Sequence, residues 1–404
     1  MGPQATVSAP PWGGVRLRVH RRLHGHRRLH RRVNLDVCCS GGRVAVTTAA
    51  GVEVGPLGAV QGLGALVEVR GGWDWGDRGV VSAVREAATG VSGSGVVAIR
   101  GLGLQPPERV VEVSRWFGAH VERNPGVDPA FLVAGWPEIQ RLGNAVDPAT
   151  GARAAVFQEA ARLGPGEAGT YDPARRVPVW HTDQLFRVPQ PVGSLLHCRA
   201  APPEGGRTLF ASTTAAYAAL DAPAARRVGG LVAVASYAHH NAKIRRASPL
   251  NTSFPLLTAD QRRRFPPVAL PLAAAHPDTG AVALNCFSSA VFAVVAEGDP
   301  LLDAVRGAQA GDADAMAALD AFEVDGEEHP SVEAVLRRWL LPHATAPEAI
   351  YAHAWEPGDF VVWDNRCTVH APTGFDAERF QREMWRTTFA SGPPPGEGAP
   401  TVVD

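Results

Sequence analysis

The sequence predicts a mainly β fold, a sandwich or barrel with flanking helices. Seven short apolar runs support this prediction, and Gly and Pro residues punctuate the chain between them. The runs are VPVWHT, VGSLLHC, RTLFAS, PPVALPL, AVALNCF, EAIYAHAW and DFVVW. A chain of 404 residues, 45% of them hydrophobic, is also long enough to bury a well-formed core.

The flanking helices are predicted from apolar residues that recur every three or four positions. This spacing occurs over residues 77–89, 108–117, 213–220 and 332–341. Pro106 and Pro107 stand at the start of the second segment, where proline is tolerated in a helix. The apolar stretch 96–99, between the first two helices, predicts a buried strand.

Residues 1–60 differ in composition from the rest of the chain. The first 33 residues contain eight arginines and no acidic residue, and HRRLH occurs twice, at 20–24 and 26–30. This segment is either a basic arm for an acidic partner, or a disordered tail or misassigned start. Blocks of like charge usually stay solvated, which favours the tail. We therefore predict a disordered or loosely ordered extension over 1–60 and one folded domain over 61–404.

Residues 145–176 are rich in Gly, Ala, Pro and Arg and contain few core residues. A loop of this length in a compact domain is usually functional or disordered. One hypothesis is a lid that contributes Tyr171, Arg175 and Arg176 to a pocket. A flexible surface loop is an equal alternative.

Charge and composition exclude several classes of partner. A formal net charge of -1 gives no reason to expect nucleic acid or an anionic membrane surface. Gly, Pro or Arg interrupts every apolar run before it reaches membrane-spanning length. Five cysteines without a CxxC pair are typical of reduced thiols, and no apolar segment follows the paired arginines as an export signal requires. We predict a cytoplasmic protein acting on small molecules, and the oligomeric state stays open.

The chemistry-bearing motif begins at His181-Thr182-Asp183. On an extended strand, residues i and i+2 project from the same face, so both side chains can reach one ion. Together with a second imidazole they would form the facial triad of non-heme Fe(II) oxygenases. His-x-Asp alone is a weak signal, because a chain of this composition contains about one by chance.

A second His-x-Asp, His276-Pro277-Asp278, is followed by Thr279-Gly280. Pro-Asp-Thr-Gly is a turn sequence, so we interpret this copy as structural, with Asp278 bonded to local backbone.

The third ligand must come from a distant strand, and His370 is the candidate. It follows a Pro-Gly-Asp turn and the apolar run FVVW. Arg382 and Arg386 come next, at a distance that can put a metal ligand and a carboxylate clamp on neighbouring strands.

Two long segments resemble the TauD/TfdA family of taurine and 2,4-dichlorophenoxyacetate dioxygenases. They are WHTDQLFRVPQPVGSLLHCRAAPPEGGRTLFASTTAAYAAL and HAWEPGDFVVWDNRCTVHAPTGFDAERFQREMWRTTF. A weaker stretch ending in SRWFG is similar to the opening of the family domain, so the resemblance covers about residues 61–392. It implies a double-stranded β-helix, a cupin-like jelly roll with flanking helices.

The resemblance also implies a cofactor set and its ligands. His181, Asp183 and His370 correspond to the residues that hold Fe(II). Thr208 and Arg382 correspond to the residues that bind the far carboxylate of the cosubstrate 2-oxoglutarate, and O₂ is the second cosubstrate. A buried diacid needs a forked, permanently charged partner, which an arginine supplies.

The substrate side is less well defined by the resemblance. Arg386 matches a family arginine near the anionic group of the substrate, although a salt bridge on the barrel rim is an alternative. Arg207 stands where the family usually has Asp, and the family's substrate-side histidine has no clear counterpart. The candidate substrate contacts are Arg386, His120, Arg123, Asn124, Tyr171 and Arg176. Taurine or phenoxyacetate is therefore not indicated.

The implied function is an Fe(II)- and 2-oxoglutarate-dependent dioxygenase that releases succinate and CO₂. It would oxidise an unactivated C–H bond of a small organic acid, an amino acid or a natural-product intermediate. The Asp183 ligand disfavours halogenation, whereas desaturation, ring formation and demethylation stay open. The alternatives are a metal-dependent cupin-like enzyme that does not use 2-oxoglutarate, and a non-catalytic binding protein on the same barrel.

Overall fold

The structure of the protein is a computed structural model. It describes residues 35–40, 43–48, 52–57, 63–69, 81, 95–123, 129–146, 151, 180–247 and 255–391. Most of the helix predicted over 77–89 lies outside the described residues, as do most of the 145–176 segment and the candidate contacts Asn124, Tyr171 and Arg176.

The strands are numbered β1 to β19 in chain order. They are Leu35–Ser40, Arg43–Thr48, Val52–Pro56, Gly64–Val69, Val96–Arg100, His120–Val121, Leu132–Val133, Trp136–Gly143, Gly193–Ala200, Thr208–Ser212, Leu231–Ala235, Val268–Pro271, Ala273–Ala275, Val282–Leu284, Val291–Ala296, Tyr351–His353, Phe360–Asp364, Thr368–Pro372 and Glu383–Ala390.

The α-helices are numbered α1 to α9. They are Pro107–Ser114, Thr213–Ala218, Ala222–Gly229, Tyr237–Ala247, Ala259–Arg264, Pro300–Gln309, Ala313–Ala318, Asp320–Glu323 and Leu341–Ala344. A π-helix spans Val332–Leu340, and short 3-10 turns span Pro129–Phe131 and Pro347–Ala349. Among the described residues, no helix combines the length and apolarity that crossing a bilayer requires.

Within the described residues, the largest sheet has eleven strands in the order β1-β2-β3-β4-β5-β17-β9-β19-β8-β7, with β6 paired to β19. Its pairs are antiparallel except β4–β5, which are parallel. The central strands β9 and β17 are buried along most of their length, as expected for runs rich in Leu, Val and Phe. Residues of these two strands therefore lie in the middle of the sheet.

A second sheet, β16-β10-β18, packs against the first. Phe210 of β10 belongs to the same buried cluster as Trp363 and Val361 of β17 and Met384 of β19. A third sheet, β12-β11-β15, carries α6 and α7 on one face through an apolar cluster that includes Phe292. The arrangement is mainly β with flanking helices, which confirms that part of the fold prediction.

The structure differs from the prediction in the helix at 332–341 and at the domain boundary. The helix predicted over 332–341 is a π-helix followed by α9. The predicted boundary at residue 60 falls between β3 and β4, which pair with each other through five residues each. Part of the segment before residue 60 is therefore hydrogen-bonded to the main sheet, and the domain division stays a prediction.

Candidate metal centre

The two histidines of the predicted triad are joined through their main chains. His370 lies in β18, and His181 forms an antiparallel bridge with it. Each backbone N–H donates to the carbonyl oxygen of the other residue at 2.9 Å. The imidazole centroids are 4.2 Å apart, so both rings lie on the same side of this pair.

Asp183 completes the triad. Its Oδ1 lies 3.6 Å from Nε2 of His181 and 3.9 Å from Nε2 of His370. One ligand atom from each residue lies within 4.8 Å of the other two, so the three can share one ion. Thr182 points away from this group, and its hydroxyl donates to the Thr368 carbonyl oxygen at 2.9 Å. His181 forms only this isolated bridge and Asp183 lies at the start of a turn, so the strand predicted over VPVWHT is not formed among its described residues.

The chain turns directly after the carboxylate ligand. Gln184 has a φ of 50°, a left-handed conformation that is uncommon for a residue other than glycine. Its carbonyl oxygen accepts from the Arg187 N–H at 3.0 Å, and its Oε1 accepts from Arg187 Nη1 at 2.7 Å. Arg187 also pairs with Glu122. These contacts hold the strained turn beside Asp183, a place where such conformations are typical of functional sites.

The protonation states of Asp183 and His370 suit a divalent cation. Burial disfavours the charged form of Asp183, but the positive charge of Arg386 outweighs it, so the pKa of this carboxyl is lowered. Burial, followed by the effect of His181, lowers the pKa of His370 to about 3. An ionised carboxylate and a neutral imidazole are the forms that coordinate a metal.

The other carboxylate oxygen of Asp183 has its own partners. Oδ2 accepts a hydrogen bond of 2.7 Å from Ser194 Oγ, and Arg386 Nη2 lies 3.0 Å away from it. The sequence assigns Arg386 to the anionic group of a substrate or to the rim of the barrel. The structure places its guanidinium inside the site, against a metal ligand.

Aromatic packing holds the His370 ring. The ring centroids of Trp363 and Phe210 lie 4.7 Å and 6.1 Å from that of His370. Nδ1 of His370 is buried and has no hydrogen-bond partner among the described residues. Packing therefore fixes the orientation of the ring, whereas most metal-bound histidines are oriented by a hydrogen bond.

Thr208 shares a face of the small sheet with His370. Phe210 of β10 is the register partner of His370, and Thr208 precedes Phe210 by two residues on the same strand. Its side chain therefore projects on the side of the metal ligand, roughly 7 Å along the strand. The Thr208 hydroxyl accepts the indole N–H of Trp355 at 3.0 Å. The hydroxyl hydrogen of Thr208 is therefore available to a different acceptor.

Arg382 is a cation without an acidic partner among the described residues. Its Nε donates to the Gly206 carbonyl oxygen at 3.1 Å, and burial lowers the pKa of the guanidinium to about 10. Asn144 fixes the preceding loop, because its Oδ1 accepts from the Arg382 N–H at 2.8 Å and its Nδ2 donates to the carbonyls of Ala377 and Phe380. A guanidinium that has no acidic partner among the described residues suits a carboxylate ligand.

Comparison with known proteins identifies the family. The model described as "Taurine catabolism dioxygenase TauD, TfdA family" matches residues 71–388. The chain belongs to the TauD/TfdA family. This finding confirms the family predicted from the two sequence segments.

The TauD/TfdA relatives have names that agree with the predicted enzyme class and cofactors. An alpha-ketoglutarate-dependent 2,4-dichlorophenoxyacetate dioxygenase of Burkholderia sp. (strain RASC) is 31% identical over 211 residues, which are 52% of this chain and 57% of that protein. An (S)-phenoxypropionate/alpha-ketoglutarate-dioxygenase of Sphingobium herbicidovorans is 29% identical over 219 residues, which are 53% of this chain and 62% of that protein. The match thus spans somewhat more than half the length of each relative. Alpha-ketoglutarate is another name for 2-oxoglutarate.

The fold is also that of a solved TauD/TfdA structure. A taurine dioxygenase from Burkholderia xenovorans superposes with a TM-score of 0.51 and 24% sequence identity, and the match covers 86% of this chain and 94% of that one. At this identity the likeness supports the fold alone.

Besides Arg386, two of the substrate candidates in this TauD/TfdA protein, His120 and Arg123, lie in described segments. His120 is half-buried in β6, whose register partner is Ala390 at the end of β19. Arg123 is exposed and lies 3.7 Å from Glu138. Neither residue belongs to the group of ligand atoms formed by His181, Asp183 and His370.

The second His-x-Asp is structural, as predicted, but its contacts differ. His276 Nδ1, and not Asp278, takes the local backbone N–H groups, those of Asp278 and Thr279. Asp278 pairs with Arg366 at 2.8 Å. His276 Nε2 lies 3.0 Å from Asp364 Oδ2, and Oδ1 of Asp364 accepts a hydrogen bond from Arg366 Nε. His276, Asp364 and Cys367 lie close enough to hold an ion. The guanidinium of Arg366, however, already supplies the positive charge beside Asp364.

The sequence did not indicate four residues that support the site. They are Ser194, Trp355, Asn144 and Asn365. A serine within the apolar run VGSLLHC was the one available signal, since a buried hydroxyl needs a partner. The other three act through contacts with distant segments.

Proposed function

We propose that this protein is an Fe(II)- and 2-oxoglutarate-dependent dioxygenase on a double-stranded β-helix. It oxidises an unactivated C–H bond of a small organic acid, an amino acid or a natural-product intermediate, with release of succinate and CO₂. The observation that carries the proposal is the convergence of His181, Asp183 and His370 on one point, with an acid-free guanidinium from Arg382 nearby in the fold.

The triad fits a ferrous ion. Two imidazoles and one carboxylate on one face leave three positions of an octahedron open. When bound, iron and 2-oxoglutarate supply oxidative decarboxylation and an oxidant strong enough for a C–H bond. The protein holds Asp183 ionised and His370 neutral, the forms that coordinate a metal, and it excludes water through buried walls, including Trp363 and Phe210.

Thr208 and Arg382 are proposed to bind the far carboxylate of 2-oxoglutarate. Thr208 has a hydroxyl hydrogen to donate, because its oxygen already accepts from Trp355. Arg382 offers a fork of N–H groups without a competing acid in the described chain. Together they place the cosubstrate along β10, with its other end toward His370.

The substrate contacts proposed are Arg386, His120, Arg123, Asn124, Tyr171 and Arg176. Arg386 has geometric support, because its guanidinium lies inside the site, 3.0 Å from the carboxylate of Asp183. The names of the two relatives contain carboxylic acids, which is consistent with an acidic substrate. We also propose a cytoplasmic location and, for residues 145–176, a long loop or lid.

The two alternative functions are not favoured. A metal enzyme that does not use 2-oxoglutarate would leave Arg382 buried without a counter-ion. A non-catalytic binding protein would have no use for three ligand atoms that converge on one point.

The test is anaerobic addition of Fe(II) and 2-oxoglutarate, followed by measurement of the visible charge-transfer band. The band should form in the wild type and in Asp278→Ala, and be lost in Asp183→Ala. Asp278 is a matched control, because it belongs to the other His-x-Asp. Succinate release from candidate acids then identifies the substrate. A band of normal intensity in Asp183→Ala would refute the ligand assignment.

A further inference from the structure

We propose that Ser194 is a positioning residue for the carboxylate ligand, and that it makes Asp183 a ligand through one oxygen only. The inference rests on the proposed metal site and goes beyond it, because Ser194 contacts neither the ion nor any substrate.

The two oxygens of Asp183 face different partners. Oδ1 faces the two histidine nitrogens, at 3.6 Å and 3.9 Å. Oδ2 accepts the Ser194 hydroxyl at 2.7 Å and lies 3.0 Å from Arg386 Nη2. A hydrogen bond and an ion pair on the same oxygen hold it away from the metal position. The carboxylate plane is therefore set by residues outside the triad.

Ser194 is fixed by the sheet. It lies in β9 between two strands, opposite Trp363 of β17 and Thr388 of β19, and its side chain is completely buried. On the far side, Asn365 Nδ2 donates to Ser194 Oγ at 3.4 Å, and the Asn365 N–H donates to the Val192 carbonyl oxygen at 2.9 Å. Because Asn365 donates to the Ser194 oxygen, the hydroxyl hydrogen is left for Asp183.

This arrangement matters for the number of open positions on the ion. The cosubstrate needs two positions and O₂ needs a third. A carboxylate that bound through both oxygens would occupy one of them. By engaging Oδ2, Ser194 keeps Asp183 to a single position and preserves the open face.

The experiment measures Mn(II) binding to the full-length protein without 2-oxoglutarate, so no turnover is involved. Ser194→Ala should raise the Mn(II) dissociation constant about tenfold, the lower end of the range for partners of metal ligands. Ser194→Cys retains a donor, although a weak one, and should lie between the wild type and Ser194→Ala. Ser114→Ala is the matched control, because Ser114 is also completely buried and its hydroxyl donates to the Val110 carbonyl oxygen at 2.9 Å.

The outcomes separate this inference from the proposed function. If the wild type does not bind Mn(II), both the metal site and the role of Ser194 are wrong. If the wild type binds and both Ser194 variants bind equally well, only the role of Ser194 is wrong. Equal weakening in Ser114→Ala would also overturn it, because the effect would then be one of general stability. Weakening confined to the Ser194 variants supports it.

Discussion

The indole N–H of Trp355 donates to the hydroxyl oxygen of Thr208 at 3.0 Å, and both residues are buried. Trp355 thereby decides which way the hydroxyl hydrogen points. The Trp355→Phe variant keeps an aromatic ring and removes the donor. We expect 2-oxoglutarate to bind about fivefold more weakly, since one hydrogen bond contributes about 1 kcal/mol.

Anaerobic titration of the charge-transfer band would measure this change. The Trp339→Phe variant is the control, because Trp339 lies in the π-helix and contacts Arg227 rather than Thr208. Unchanged 2-oxoglutarate affinity in Trp355→Phe would show that the indole does not orient the hydroxyl.

Arg382 should contribute more to cosubstrate affinity than Thr208 does. A hydrogen bond to a charged group contributes about 1.5–3 kcal/mol, and Arg382 offers two such bonds plus a charge. We expect Arg382→Gln to weaken 2-oxoglutarate binding by about 100-fold, and Thr208→Val to weaken it less. Thr208→Ser retains the hydroxyl and should bind close to wild type. The reverse order of the Arg382 and Thr208 effects, in the same titration, would contradict the proposed clamp.

Gly143 should be intolerant of a side chain. It has a φ of 134°, and a Cβ there would lie 1.9 Å from the Arg382 carbonyl oxygen. Gly135 also has a positive φ, of 77°, but nothing lies within 4 Å of its Cβ position. Gly135→Ala should therefore cost about 1–2 kcal/mol from backbone strain alone, and Gly143→Ala more. Urea unfolding of both variants measures the difference, and equal losses would rule out the steric explanation.

Acid should destabilise the protein partly through His197. This side chain is completely buried, and burial, followed by Arg199, lowers its pKa from 6.5 to about 4. Below pH 6.5 the unfolded chain takes up a proton that the folded protein refuses until about pH 4. The stability present above pH 6.5 is therefore lost as the pH falls, by up to about 1.4 kcal/mol per pH unit.

The variant His197→Gln should be less stable at pH 7 but lose less stability on acidification. The free energy of unfolding in urea at pH 7, 6 and 5 gives the two slopes. His239 and His370 titrate in the same direction in both proteins, so the difference between the slopes belongs to His197. Parallel slopes would show that His197 is not the group responsible.

The sequence was informative where function depends on a repeating backbone geometry. The two-residue spacing of His181 and Asp183 predicted side chains on a common side, and the structure brings them together although Asp183 lies at the start of a turn. Apolar runs such as those at β9, β10 and β17 marked the strands for the same reason. His370 could be proposed because a strand-like run precedes it.

The sequence was uninformative where function depends on which strand lies beside which. Asp183 contacts Ser194 and Arg386 only because β9 and β19 are neighbours in the sheet. Nothing in the residues around position 386 distinguishes a contact with the ligand from one with a substrate. The type of helix at 332–340 was equally hidden, since apolar spacing does not separate an α-helix from a π-helix.

The backbone bridge between His181 and His370 has a consequence for how the ion enters and leaves. The main chains that carry these ligands are hydrogen-bonded to each other whether or not a cation is present. Most of the ordering that coordination requires is thus completed when the chain folds. We expect a chelator to remove the ion reversibly from a preorganised site, with the circular dichroism spectrum of the protein unchanged.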